Sequence, residues 1–399
     1  MKALIVDAFP AQALSRLQEI GLDVDYRPKL KAEELAAAVG GATILIVRST
    51  EVPKACIEAA DVLSLIVRAG AGVNTIDIKA ANARGIYVTN CPGKNAVAVA
   101  ELTMGLLLAV DRRIPDNVAD LRAGKWNKGE YSTADGVFGK TMGIIGVGQI
   151  GREVIVRAKA FGLKIIAWSR SLTAEEADRL GVARAASLEE LVPQCDILSV
   201  HLALKTETRG IISKDLIEHM RPGTILLNTA RAEVVDEDAV AAAVEAGRIR
   251  VGTDVFAGEP EDKAGTIRSR LAGLPGVTGT HHIGASTTQA QDAVAEEVVR
   301  IVDRYKQYGE VPNWVNRQRT TAATWQLVVR HFDKPGVLAN VLSELKAAGI
   351  NVQEVENVVF EGAKTACCTL RLDARPSAAT VDAIAARRDE VINALLNPL

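Results

Sequence analysis

One hexapeptide limits what this chain can fold into more than any other feature: Gly146-Val147-Gly148-Gln149-Ile150-Gly151. It follows the apolar run Met142–Gly146 and opens a helical pattern through Val154, Ile155 and Ala158. Between a strand and a helix, glycines at this spacing serve three needs. Gly146 permits the tight turn, Gly148 lets backbone approach a pyrophosphate, and Gly151 lets the helix lie close to its strand. The helix start adds unpaired N–H groups and the positive end of a dipole. Alone the hexapeptide is a weak signal; its strand–loop–helix setting makes it a dinucleotide-binding loop.

The next expected strand, Lys164–Trp168, ends in Ser169-Arg170 rather than in the acidic residue that would hold a ribose 2′-hydroxyl. A carboxylate there would repel a 2′-phosphate, whereas serine tolerates one and Arg170 can pair with it. The expected cofactor is NAD, with NADP also admitted.

A chain of 399 residues exceeds one ordinary domain. Short apolar runs alternate with helical spacing twice over. The first series has expected strands Ala3–Val6, Ile44–Val47, Leu65–Val67 and Ile86–Thr89; the second has Met142–Gly146, Lys164–Trp168, Ile197–Val200, Thr224–Leu227 and Val251–Asp254. Buried strands separated by helices imply parallel sheets covered on both faces. The fold class is therefore α/β, with two doubly wound parallel-sheet domains, a flavodoxin-like one and a Rossmann-type one. Long helices are expected from Ala96 to about Val110 and over Gln289–Tyr308, the second returning to the first sheet. After a polar linker, Val315–Thr324, a βαββα order begins at Trp325, with a final short strand near Val391–Leu395; it predicts a small antiparallel α+β domain. The expected division is residues 1–95 with 286–314 for substrate, 96–285 for the dinucleotide, and 324–399 for a regulatory unit.

A net charge of −2 gives no reason to expect nucleic acid or an anionic membrane as partner. No apolar run reaches the ~18 residues of a membrane span, and the N-terminus has no signal-peptide pattern. The five cysteines, Cys56, Cys91, Cys195, Cys367 and Cys368, form no metal-ligand spacing, so no metal and a reducing cytoplasm are expected.

Three strand-end segments of the second series carry candidates for chemistry. Arg231 follows Thr224–Leu227, Asp254 ends Val251–Asp254 with Glu259 just beyond, and His281-His282 follows a strand-like Gly276–Thr278. Ligands of open parallel sheets bind at that edge. Arginine grips a carboxylate bidentately, and a histidine beside a carboxylate has its imidazolium stabilised. Each residue alone has an ordinary surface or packing explanation; together, at successive strand ends of a cofactor domain, they point to an acid–base site. In the first series, Arg48-Ser49 and Gly70-Ala71-Gly72 occupy strand ends where a small anionic substrate could be held.

These motifs resemble the D-isomer-specific 2-hydroxyacid dehydrogenases. The likeness is carried by the glycine loop, Val200–Leu204 with Thr208-Arg209, Asn228–Asp236, Asp254–Pro260 and His282–Thr287, and covers essentially the whole chain. Asn90–Asn95 followed by Ala98–Met104 most resembles the members that act on 3-phosphoglycerate at the entry to serine synthesis. The resemblance implies that Arg231 binds the substrate carboxylate, His282 is the acid–base group, Glu259 is its partner, and Asp254 holds the nicotinamide carboxamide. It adds Gln149, Ile150, His201, Thr229, Ala230 and Gly284 to the cofactor contacts. Two positions depart from the family: Ala232 replaces a glycine and His281 replaces a proline, leaving His281 and His282 to be told apart. Alternatives are a hydroxypyruvate or glyoxylate reductase, and a nicotinamide-sensing corepressor-like protein.

The C-terminal part resembles an ACT domain, which implies an amino-acid effector shared between copies, with His331, Asp333 and Asn351 as its contacts. A homodimer or homotetramer is expected.

Overall fold

The alternation of apolar runs and helical patterns becomes two parallel sheets inside one unit of the chain. The computed structural model describes residues 1–260, 264–318 and 320–399. It divides into Met1–Asn316 and Arg317–Leu399, placing the boundary within the predicted linker, of which position 319 lies outside the described residues.

The first sheet comprises β1 (Lys2–Ile5), β2 (Asp23–Tyr26), β3 (Ile44–Val47), β4 (Leu65–Arg68) and β5 (Tyr87–Asn90). They run parallel in the flavodoxin-like order β2-β1-β3-β4-β5. All four β3 side chains are buried, as expected of a strand covered on both faces. Strand β2 was not expected. Its sequence, Asp-Val-Asp-Tyr, lies at the sheet edge with every side chain partly or fully exposed, so no apolar run marks it.

The second sheet contains β6 (Thr141–Ile145), β7 (Lys164–Trp168), β8 (Ala183–Arg184), β9 (Ile197–Val200), β10 (Thr224–Asn228), β11 (Ile249–Thr253) and β12 (Val277–Gly279). Its order, β12-β11-β10-β9-β6-β7-β8, is the Rossmann order extended by one strand. The chain reverses its direction of winding between β6 and β9, and between β1 and β3 in the first sheet. These two switch points define where ligands can enter.

Two long helices tie the sequence halves to their sheets. Helix Ala96–Arg112 buries Ala100, Met104, Leu107 and Val110 with Met142, Ile144, Ile225 and Leu227 of the second sheet. Helix Thr288–Tyr308 returns to bury Ala295, Val298, Val299, Ile301 and Val302 against Ile44, Ile46, Leu65 and Val67 of the first. Burying each such aliphatic side chain stabilises the fold by roughly 1.5–3 kcal/mol before the cost of ordering it.

The C-terminal unit has β13 (Trp325–Phe332), β14 (Val352–Val359), β15 (Thr365–Leu372) and β16 (Val391–Pro398), all antiparallel in the order β14-β15-β13-β16. With helices Val337–Ala347 and Ala378–Ala385 this is a βαββαβ unit, and its last strand is longer than expected. Cys368 is buried and Cys367 half-buried, as alternation on β15 requires.

Candidate active site

Each catalytic candidate sits on a turn that the preceding strand end holds. After β10, the Asn228 side chain accepts from the Ala230 N–H at 3.0 Å and donates to the Arg231 carbonyl at 3.0 Å. This Asx turn fixes the backbone from which the Arg231 side chain projects. Arg231 Nη1 donates to the Ala230 carbonyl at 2.7 Å, and among the described residues the rest of the guanidinium fork has no hydrogen bond. Below it Thr229 pairs with Thr103 of helix Ala96–Arg112, Oγ1 to Oγ1, at 2.9 Å.

After β11, Glu259 bends back so that one carboxylate oxygen accepts from the Phe256 N–H at 2.8 Å, while the other accepts from His282 Nδ1 at 2.8 Å. Two histidines were candidates, and the structure gives the carboxylate to His282. With Nδ1 as the donor, neutral His282 keeps a bare Nε2 able to accept a proton. The hydrogen bond to Glu259 raises the His282 pKa against the opposing effect of burial. Burial works upward on Glu259, but His282 and the Phe256 N–H hold its carboxyl below the ordinary range.

His282 has φ +52°, a left-handed conformation that costs a non-glycine residue about 1–2 kcal/mol. Asp254 holds that turn. Its carboxylate accepts from the Thr280 hydroxyl at 2.6 Å and from the N–H groups of Ile283 at 2.8 Å and Gly284 at 2.7 Å. Its carbonyl accepts from the His282 N–H at 2.8 Å.

The first and third glycines of the loop have the steric reasons expected of them. Gly146 has φ +99°, and a Cβ there would lie 2.5 Å from the His201 carbonyl oxygen. A Cβ on Gly151 would overlap the Gly146 carbonyl. Around Gly148 the space is open, and it caps helix Gln149–Ala160 without any side-chain bond to the first turn. Open space beside uncapped N–H groups at the switch point fits a pyrophosphate. His201, at the end of β9, shares its Nε2 with the Ser199 hydroxyl at 2.8 Å, and burial pushes its pKa down to about 3, so it is neutral. Its Nδ1 is buried with no partner among the described residues. Ser169 is half-buried; Arg170 is exposed and forms no ion pair among the described residues.

A family model, D-isomer specific 2-hydroxyacid dehydrogenase, NAD binding domain, matches residues 104–284. A D-3-phosphoglycerate dehydrogenase of Methanocaldococcus jannaschii is 39% identical over 76% of this chain and 57% of its own length. A solved protein of Thermus thermophilus is 34% identical with TM-score 0.70, covering 79% of this chain and 100% of that one. The chain belongs to the D-isomer-specific 2-hydroxyacid dehydrogenases. A further structure of the likeness, NAD⁺-bound 3-phosphoglycerate dehydrogenase of Entamoeba histolytica, is 29% identical with TM-score 0.66, covering 79% and 99%. The chain spans 57–60% of the length of the curated relatives it matches.

In this member of the family the first sheet adds residues that motif reading passed over. Asp7, two residues past β1, accepts three backbone N–H groups through one oxygen, from Arg48 at 2.6 Å, Ser49 at 3.0 Å and Thr50 at 3.1 Å. Burial would raise the Asp7 carboxyl, but these donors hold it below its ordinary value. A carboxylate ending the first strand was the available signal. Arg68 ends β4, folds over Gly70 where a Cβ would overlap its Nη1, and has its Nε buried without a partner among the described residues. Burial and then the neighbouring Arg231 charge depress its pKa. A Cβ on Gly72 would stand 3.1 Å from Arg231 Nη2, so the Gly70–Gly72 loop of one sheet meets the arginine of the other.

The C-terminal candidates do not meet within one chain. His331 is buried, with Nδ1 on the Phe332 carbonyl at 2.8 Å and Nε2 on Asn357 Oδ1 at 3.1 Å. His331 and Asp333 precede helix Val337–Ala347 and Asn351 follows it, about 16 Å away at 1.5 Å per residue. Among the described residues no cluster of metal-ligating side chains occurs, and no helix is long and apolar enough to cross a membrane.

The glycine geometry yields a paired prediction. Gly148→Val should abolish NADH binding, followed by nicotinamide fluorescence, with little change in thermal midpoint, since φ −77° suits valine and nothing but solvent is displaced. Gly151→Ala should instead lower stability by about 1–3 kcal/mol through its clash with Gly146. Normal NADH binding by the valine variant would remove the pyrophosphate from this loop.

Proposed function

We propose that this enzyme oxidises 3-phospho-D-glycerate to 3-phosphohydroxypyruvate with NAD. The observation that carries the reading is the Glu259–His282 pair, 2.8 Å apart, in the neighbourhood of Arg231. In the oxidising direction neutral His282 Nε2 accepts the C2 hydroxyl proton, and Glu259 stabilises the resulting imidazolium. Arg231 grips the carboxylate at C1 and orients C2. When bound, the nicotinamide ring supplies the hydride acceptor. Gly146, Gly148 and Gly151 with the start of helix Gln149–Ala160 hold the pyrophosphate, and His201, Thr229, Ala230 and Gly284 are the further cofactor contacts of this reading.

The phosphorylated substrate is favoured by charge. Arg68 is depressed by Arg231 and also by Arg48, and none of the three forms a salt bridge among the described residues. The nearby Asp7 carboxylate is already engaged by three N–H groups. Three guanidiniums with no salt bridge among the described residues match a substrate with an anion at each end better than a monoanionic hydroxy acid. The name of the Methanocaldococcus jannaschii relative supports the same substrate. On this reading residues 1–95 and 286–314 bind substrate, 96–285 bind NAD, and 324–399 form an ACT-like regulatory unit. An amino-acid effector touching His331, Asp333 and Asn351 would require a homodimer or homotetramer, since the three lie at opposite ends of one helix.

Arg170 favours a second reading, an NADPH-dependent hydroxypyruvate or glyoxylate reductase, because it is free to meet a 2′-phosphate. Steady-state kinetics with 3-phosphoglycerate against D-glycerate, and phosphohydroxypyruvate against hydroxypyruvate, each with both nicotinamide pairs, separates the two. The phosphorylated member should have the higher kcat/KM by about tenfold or more, the worth of one charge-assisted contact. Equal values would overturn the phosphate assignment.

A further inference from the structure

We infer that Asp7 is a positioning residue of the substrate loop, a built-in anion that fills the N–H nest of Arg48, Ser49 and Thr50. The loop then meets its substrate through side chains. The inference rests on the assignment of Arg48 and Ser49 to substrate binding. Strands β1 and β3 are parallel neighbours, with Ile5 opposite Ile46, and the Val6 N–H still reaches the Ile46 carbonyl at 3.2 Å. Beyond that bond the Asp7 side chain, not the backbone, meets the neighbouring segment. This is the switch point of the first sheet, where open parallel sheets take up ligands. Consecutive N–H groups converging on one point form a concavity that binds anions. Here the point is taken by Asp7 Oδ2, which accepts from Arg48 at 2.6 Å, Ser49 at 3.0 Å and Thr50 at 3.1 Å. Asp7 is only 8% exposed, so its carboxylate screens the nest from a substrate anion.

With its backbone donors used, the loop keeps side chains for an anion. Arg48 is half-buried and forms no ion pair among the described residues; Ser49 is exposed, and its hydroxyl has no hydrogen bond among them. Arg48 lies within electrostatic reach of Arg68, and Arg68 of Arg231. With Arg231 on the carboxylate, Arg48 and Arg68 are left for the phosphate. Tying down the backbone of Arg48 and of the next two residues fixes the base of its side chain before substrate arrives, which lowers the ordering cost of binding. Asp7 also supplies charge. Burial depresses the Arg68 pKa most and the Arg231 charge next, while Asp7 works in the opposite direction. It thereby helps to keep like-charged guanidiniums together, and three N–H dipoles offset the repulsion it would exert on a substrate anion. An aspartate that merely closed a turn would affect folding and leave substrate discrimination alone.

The test is steady-state kinetics of Asp7→Asn on 3-phosphoglycerate and on D-glycerate. Asparagine keeps the size, loses the charge and presents an N–H₂ group to donors. KM for 3-phosphoglycerate should rise about ten- to hundredfold, the worth of a charge-assisted anchor. Over the same change kcat should move by less than about threefold, and the dissociation constant of NADH by less than about twofold, since uniform binding is what is lost. KM for D-glycerate should move far less, because it brings no phosphate to Arg48. Amide hydrogen exchange of Arg48, Ser49 and Thr50 should quicken. Asp7→Glu, which keeps the charge one methylene further out, should fall between wild type and Asp7→Asn, and carries the test if the asparagine variant fails to fold. Wild-type KM with unaltered exchange would overturn the inference, as would equal losses on the two substrates or a loss confined to kcat. Equal kcat/KM for the two substrates in the wild type would instead overturn the phosphate assignment, while the exchange rates of residues 48–50 would still decide whether Asp7 holds the loop.

Discussion

Replacing His282 with alanine is expected to cut oxidation of the hydroxy acid by about 10²–10⁴-fold, the usual worth of a positioned general base, with NADH affinity near wild type. On the proposed mechanism the imidazole meets the reacting hydroxyl, whereas the pyrophosphate lies away from it at the Gly146–Gly151 loop. The pH profile gives an independent handle. Oxidation needs neutral His282, so kcat/KM should rise as pH climbs through its pKa. Glu259 is the largest influence raising that pKa, through the hydrogen bond at 2.8 Å. Glu259→Gln removes the carboxylate charge, so the rising limb should move to lower pH while the plateau falls. In the reducing direction the protonated form is required, and the falling limb should move to lower pH as well. A His282→Ala enzyme with normal turnover would transfer the role to His281, and an unmoved limb in Glu259→Gln would uncouple the pair.

Arg231→Lys is the second large effect. Lysine keeps the charge but loses the planar fork, so two parallel bonds to a carboxylate become one movable contact. With charge-assisted hydrogen bonds worth roughly 1.5–3 kcal/mol, kcat/KM for the hydroxy acid should fall about 10–150-fold at saturating NAD. Protein stability should change little, because the Arg231 side chain forms one hydrogen bond, to the Ala230 carbonyl, and no ion pair among the described residues. Undiminished kcat/KM would mean that Arg68 or Arg48 carries the carboxylate instead.

Much of this site was readable along the chain because its parts are local. A strand, a glycine-spaced loop and a helix start lie close together in sequence, and their geometry follows from backbone sterics. Arg231, Glu259 and His282 were locatable because each follows an apolar strand, and parallel strands present their C-terminal ends to one edge. The unread parts depend on partners far away in sequence. Asp7 and Arg48 are 41 residues apart and meet only because β1 and β3 are neighbours in the sheet. Arg68 looks like one more strand-end arginine until Arg231 is brought beside it across the cleft. Edge strand β2 had no signal because exposed alternating residues resemble a loop.

Periodicity along the chain is enough to set the alternation of buried strands and helices, and with it the edge at which the reactive side chains gather. Glycine's freedom at Gly146 is enough to place the pyrophosphate loop. Both are properties of neighbouring residues. Folding in three dimensions was needed to choose His282 over His281 as the recipient of the Glu259 carboxylate, and to bring Arg48 and Arg231 within electrostatic reach of Arg68. Asp254, expected from the family resemblance to be a cofactor contact, also bonds to the His282 turn. A left-handed histidine and a cluster of like charges are each unfavourable locally, so no short stretch of sequence announces them. They persist because contacts from β11 and from the opposing sheet hold them in place.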